Sequence, residues 1–231
     1  MNQPKNRKVR DRMIEQVKMS EKYQERPVKG NTVLINGGTT GIGRATALLL
    51  AQQGARVMIF GRDQADLDAA LTEIKRVSAG QEVFGLTADT SKPDDVERIF
   101  QEGDSRFGGL DILVNNAALP ASDLASTSWE EIVYVINTNL LGYMHVAKLA
   151  IERMRTRQQG HIIIVGSMSA KVAERGSSVY VATKAGLHGL AEALRKEINE
   201  MGIKVSEVEP GEGGSDMNPR SVPEQRQAQE D

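Results

Sequence analysis

Thr32-Val33-Leu34-Ile35-Asn36-Gly37-Gly38-Thr39-Thr40-Gly41-Ile42-Gly43-Arg44-Ala45-Thr46-Ala47-Leu48-Leu49-Leu50-Ala51 is the stretch that decides the fold. Thr32 to Ile35 is a short apolar, β-branched run of the length of a buried strand. Four glycines then crowd one turn, and Arg44 to Ala51 follows as a strong helical segment. Strand, glycine-rich turn and helix in that order form the setting in which a dinucleotide pyrophosphate is held. Glycines let a phosphate approach the backbone because no Cβ intervenes. The helix N-terminus adds unpaired N–H donors and the positive end of its dipole. The spacing is G-x-x-x-G-x-G rather than the general G-x-G-x-x-G, so the reading rests on the strand–helix setting.

Downstream the same alternation repeats. Ala55 to Phe60 reads as a second strand, and Asp63 to Ser78 as a helix with Leu67, Leu71, Ile74 and Val77 on one face. Gln81 to Leu86 is the third strand. Lys92-Pro93-Asp94-Asp95 opens a helix running through Val96 to Phe107, with Thr90 or Ser91 as its natural cap. Leu110 to Val114, Gly160 to Val165 and Ile203 to Val208 are strands four to six. Trp129 to Met154 reads as one long helix and Val179 to Met201 as another. This predicts an α/β fold with a doubly wound, Rossmann-like parallel β-sheet of about six strands. Upstream, residues 1–30 form a charged N-terminal extension with a thin apolar stripe at Val9, Met13, Ile14 and Val17. The expected organisation is that extension, a dinucleotide-binding and catalytic domain over residues 31–217, and a polar tail over residues 218–231.

Composition removes several classes of function. At 231 residues the chain suffices for one sizeable core. A net charge of −2 argues against a nucleic-acid footprint. Without cysteine there is neither a disulfide framework nor a thiolate nucleophile. The three histidines, His145, His161 and His188, have no metal-ligand spacing, which predicts no metal site. Apolar runs are only strand-length, so no membrane span is expected, and a cytoplasmic location is the natural expectation.

In such sheets ligands sit beyond the carboxyl ends of the strands, and the remaining unusual residues fall there. The second strand ends Phe60-Gly61-Arg62-Asp63, without the acidic residue that binds a ribose 2′-hydroxyl in NAD-specific folds. Arg62 can instead clamp a 2′-phosphate, which favours NADP(H), with NAD(H) possible. Asp63 is placed to cap the next helix. Asp89 closes the third strand and can accept from an adenine amino group. Asn115-Asn116-Ala117-Ala118 follows the fourth, where side-chain amides either brace backbone or face a cofactor. Ser167 follows the fifth, and Tyr180 and Lys184 stand four residues apart on one helix face. An ammonium beside a phenol favours the phenolate, so the Tyr180 pKa is expected to fall from about 10 towards neutrality. Such a group suits acid/base work on a carbonyl/alcohol pair.

Taken together, these residues resemble the short-chain dehydrogenase/reductase family over about residues 31–217. Gly37-x-x-x-Gly41-Ile42-Gly43 is similar to its cofactor turn, with Asn36 where a Thr is common. Asn115-Asn116-Ala117-Ala118 is similar to its Asn-Asn-Ala-Gly element. Ser167, Tyr180 and Lys184 have its active-site spacing, and Asn139 stands where it places a fourth catalytic residue. The resemblance implies an NADP(H)-preferring enzyme that interconverts a carbonyl and a secondary alcohol. Tyr180 would be its acid/base, Lys184 would hold the nicotinamide ribose, Ser167 the substrate oxygen, and Asn139 a water of a proton relay. The expected cofactor-binding set is Gly37, Thr39, Thr40, Gly41, Ile42, Gly43, Arg62, Asp89, Thr90, Asn116, Ala117, Tyr180, Lys184, Pro210 and Gly211. A homodimer or homotetramer through helices 129–154 and 179–201 is implied. Two departures stand out. Glu207 and Glu209 fall in a strand that should be apolar, and edge placement would lower the burial cost of Glu207. The family's further helix and seventh strand have no counterpart in residues 218–231, so the alternative expectation is a nucleotide-binding protein with little turnover.

Overall fold

The structure is a computed structural model, and it describes residues 27–211. The Val9–Val17 stripe and the tail over residues 218–231 lie outside the described residues. Six strands, β1 (Thr32–Asn36), β2 (Arg56–Gly61), β3 (Val83–Thr87), β4 (Ile112–Asn115), β5 (Gly160–Val165) and β6 (Ile203–Val208), form one sheet. Its order is β3-β2-β1-β4-β5-β6, and every neighbouring pair is parallel. The chain thus winds outward from β1 in one direction and then from β4 in the other, as the alternation predicts.

Alternating side chains divide the core between two faces. Val33, Ile35, Val57 and Ile59 meet helices α1 (Gly41–Gln52) and α2 (Gln64–Val77) through Ala47, Ala51, Leu67 and Ile74. Leu34, Met58, Phe60, Leu113 and Ile162 meet helices on the other face, which contribute Ile99, Phe100, Tyr143, Met154 and Leu187. These helices are α3 (Pro93–Phe107), α5 (Gly142–Arg155) and α7 (Ser178–Ile198). Truncating any one large residue here to Ala would cost about 2–5 kcal/mol.

Three local expectations are corrected. Residues 129–154 are not one α-helix: α4 (Trp129–Ile136) passes into a π-type turn, Asn137–Leu141, before α5. The last strand-to-strand helix ends at Ile198, followed by a 3₁₀ turn, Asn199–Met201. Neither Thr90 nor Ser91 caps α3; Lys92 precedes Pro93 with no side-chain cap, because Asp89 takes up Ser91 instead. Asp63 does cap α2, accepting from Asp66 N at 2.9 Å. A short helix, α6 (Ser169–Val172), had no signature in the pattern. No helix among the described residues is long and apolar enough to cross a membrane.

Candidate active site

The glycine turn is folded so tightly that Gly37, Gly38 and Gly43 have no room for a side chain. A Cβ on Gly43 would stand 2.0 Å from the Gly37 carbonyl oxygen, and one on Gly37 (φ +62°) 2.7 Å from Ala117 Cα. Below the turn, buried amides lock the ends of β1 and β4 together. Asn36 Nδ2 donates to Asn115 Oδ1 at 2.6 Å, and Asn36 Oδ1 accepts from the N–H groups of Asn116 and Ala117. Asn116 Nδ2 donates to the Gly37 carbonyl at 3.0 Å, and Asn115 Nδ2 to the Tyr143 carbonyl at 2.9 Å. Asn36, noticed in the sequence only as a departure, is therefore the centre of this brace. Thr40 precedes α1 without capping it through its side chain, and the first turn holds no acidic residue. Its leading N–H groups stay available to an anion.

At the end of β2, a Cβ on Gly61 would meet Thr39 Oγ1 at 2.5 Å, so a side chain here would require Thr39 to shift. Arg62 reaches across the cleft, with Nη1 donating to the Tyr134 hydroxyl at 2.6 Å and the guanidinium 5.8 Å from the ring centroid. The Tyr134 hydroxyl donates to Asp89 Oδ2 at 2.9 Å. Burial pushes the Asp89 carboxyl up. Hydrogen bonds from Ser91 and Tyr134, with the Arg62 charge, outweigh burial and hold it below its ordinary value. Tyr134 escaped sequence reasoning: a Tyr in an amphipathic helix carries no signal of a partner 72 residues away.

At the far end of the cleft stand Ser167, Tyr180 and Lys184. Lys184 is buried, and its Nζ donates to the Val165 carbonyl at 3.0 Å. It lies 5.6 Å from the Tyr180 ring centroid. Burial lowers the Lys184 pKa to about 8, with Glu207 pulling the other way. The expected fall in the Tyr180 pKa is corrected: burial raises it, the Ser167 hydrogen bond opposes that rise, and Glu174 adds to it. The ammonium is committed to a backbone carbonyl rather than to the phenol. Asn139 is wholly buried in the π-type turn. Its Nδ2 donates to the Leu119 carbonyl and its Oδ1 accepts from Leu119 N–H, both at 2.8 Å. Its side-chain amide thus braces the loop after β4.

One cleft of about 1230 Å³ joins these parts. It is lined by Gly37, Thr39, Thr40, Gly41, Ile42, Arg62, Asp89, Thr90, Asn116, Ala117, Ser167, Tyr180, Lys184, Pro210 and Gly211. Gly43 and Asn139 do not line it; they support the groups that do. Ala118 to Ser122 and Glu174 to Ser177 complete the wall.

A glycine cradle at a helix N-terminus, joined by one cleft to a Ser, a Tyr and a buried Lys, defines a dinucleotide-dependent oxidoreductase of the short-chain type. The chain belongs to the short chain dehydrogenase family, whose model matches residues 31–226. It is 37% identical over 182 residues to a 3-oxoacyl-(acyl-carrier-protein) reductase of Bos taurus, covering 78% of this chain and 75% of that one. It is similar to the crystal structure of 3-ketoacyl-(acyl-carrier-protein) reductase from Brucella melitensis complexed with NADH. That match has TM-score 0.78 and 28% identity, covering 82% of this chain and 79% of the other. Levodione reductase superposes with TM-score 0.79 at 28% identity, over 82% of this chain and 74% of that one.

Proposed function

We propose that this chain interconverts a carbonyl and a secondary alcohol with a nicotinamide cofactor, preferring NADP(H), and that Tyr180 is its general acid/base. The observation that carries the reading is that Ser167, Tyr180 and Lys184 line the same cleft as the glycine turn and Arg62. The residues fit the cofactor. Gly37, Gly38 and Gly43 have no room for a Cβ, α1 has no side-chain cap, and the exposed Arg62 follows β2 with a guanidinium able to pair with a 2′-phosphate. When bound, the nicotinamide supplies or accepts the hydride.

The chain's own residues manage the proton and the oxygen. In the reductive direction Tyr180 gives its hydroxyl proton to the substrate oxygen, and in the oxidative direction it takes that proton back. Its raised pKa keeps it protonated near neutral pH, as reduction requires. Ser167, which lines the cleft together with Tyr180, shares the substrate oxygen and orients it. Lys184 keeps a cation beneath the phenol, where charge develops as the proton leaves. Asn36, Asn116 and Asn139 hold the walls in place.

Because two of the relatives above are 3-oxoacyl- and 3-ketoacyl-(acyl-carrier-protein) reductases, 3-oxoacyl thioesters are the first substrates to screen, followed by simpler ketones. Tyr180→Phe should lower kcat by about 10²- to 10⁴-fold while NADPH affinity, read by fluorescence titration, stays unchanged. Wild-type turnover in that variant would end the assignment. NADPH binding with no turnover across the screen would leave a nucleotide-binding protein instead. A kcat/KM favouring NADH would remove the NADP(H) preference alone.

A further inference from the structure

On the core-facing side of β6, behind the catalytic strand end, lies a group of ionisable side chains that the redox chemistry does not use. Glu207 pairs in register with Ile164 of β5 and is turned to the same face as the buried Ile203 and Val205. Its side chain is only 9% exposed, so the expectation that edge placement would relieve its burial is corrected. β6 is an edge strand among the described residues, but this face of it is covered by α7. His188 of α7, one turn beyond Lys184, places Nδ1 2.9 Å from Glu207 Oε2 and 3.5 Å from Glu209 Oε1. One ligand atom from each of the three residues lies within 4.8 Å of the other two.

The hydrogen bonding of this group is incomplete. Glu207 Oε1 and Glu209 Oε1 are both buried without a hydrogen-bond partner. Lys171 pairs with Glu209 Oε2, while Glu207 has no Lys or Arg partner among the described residues. Each carboxylate thus keeps one buried oxygen with no donor, which burial makes costly. Ligand bonds of about 2.0–2.2 Å at tetrahedral or octahedral angles separate neighbouring donors by about 2.8–3.6 Å; the His188–Glu207 hydrogen bond of 2.9 Å and the His188–Glu209 separation of 3.5 Å fall in that range, so an ion can replace the shared proton without moving the three side chains far.

We propose that His188, Glu207 and Glu209 form a binding site for a divalent ion of the Zn²⁺ type, tying α7 to the end of β6. One imidazole with two carboxylates suits a borderline metal better than Mg²⁺ or Ca²⁺. The site abuts the catalytic strand: a Cβ on Gly166 would stand 2.9 Å from Glu207 Oε1. Its ion therefore braces the segment that carries Ser167. The sequence marks Glu207 and Glu209 as out of place but not their partner His188, which lies 19 and 21 residues away and is brought to them only by the fold.

Full-length protein stripped with EDTA and desalted is titrated with Co²⁺, followed by its visible d–d absorption, and then with Zn²⁺. One Co²⁺ per chain, displaced by one equivalent of Zn²⁺, is expected, with Zn²⁺ raising the Tm. His188→Ala and Glu207→Gln should each weaken Co²⁺ binding by about 100-fold or more, at or beyond the upper end of what losing a group that merely orients a ligand costs. Far-UV circular dichroism checks that both variants fold. His161→Gln, which removes a histidine hydrogen-bonded to Ser206 instead, should bind Co²⁺ as the wild type does. No d–d band at millimolar Co²⁺, or binding that survives in both His188→Ala and Glu207→Gln, would overturn the proposal.

Discussion

Lys184 shows how much one side chain can cost the fold that holds it. Its pKa falls from 10.5 to about 8, chiefly through burial, which corresponds to about 3 kcal/mol against the charged form. The sign is fixed by proton counting. Between pH 8 and 10.5 the unfolded chain binds the proton that the folded chain has released, so stability rises with pH across that window. Below pH 8 both states are protonated and the full penalty is present. Urea midpoints measured from pH 7 to 10 should therefore rise for the wild type relative to Lys184→Met, and parallel curves would refute the assignment. That Lys184 belongs to the site could be read from its spacing to Tyr180. The Val165 carbonyl that holds its ammonium could not, because a backbone acceptor leaves no trace in residue identity.

The elements were legible in proportion to how strongly burial constrains them. Parallel strands covered on both faces must be nearly continuous apolar runs, so all six were found within two residues of their observed ends. The π-type turn at Asn137–Leu141 was not, because its cause is a tertiary contact. Within 129–154 one extra residue is accommodated so that the Asn139 amide can face Leu119 and bind both its N–H and its carbonyl. An α-helical pattern reads straight through such a turn. Asn139→Ala would leave a buried donor and acceptor unpaired, and should cost about 2–4 kcal/mol in urea unfolding. A loss under 1 kcal/mol would mean that the loop is held by other contacts. Glu207 was legible as an anomaly, but its partner His188 was not.

For the whole molecule, the two halves of the cleft come from opposite windings of the sheet, and their meeting at the strand ends follows from topology rather than from any one motif. The same topology leaves α4, the π-type turn and α5 with exposed apolar residues at Trp129, Val133, Ile136, Leu141 and Met144. We propose that this stripe, with α7, is where copies of the chain associate. Leu141, 53% exposed, is the residue to charge. Leu141→Arg should convert the assembly to a monomer in sedimentation velocity with the cleft residues intact. A sedimentation profile unchanged by it would place association elsewhere. Trp129 adds a practical consequence, since it is the only tryptophan in the chain and stands 72% exposed at the start of that stripe. Its emission should be red-shifted and readily quenched by iodide in a separated chain, and blue-shifted and shielded in an assembled one. Under the proposed association, Trp129 would report it optically, with no label attached.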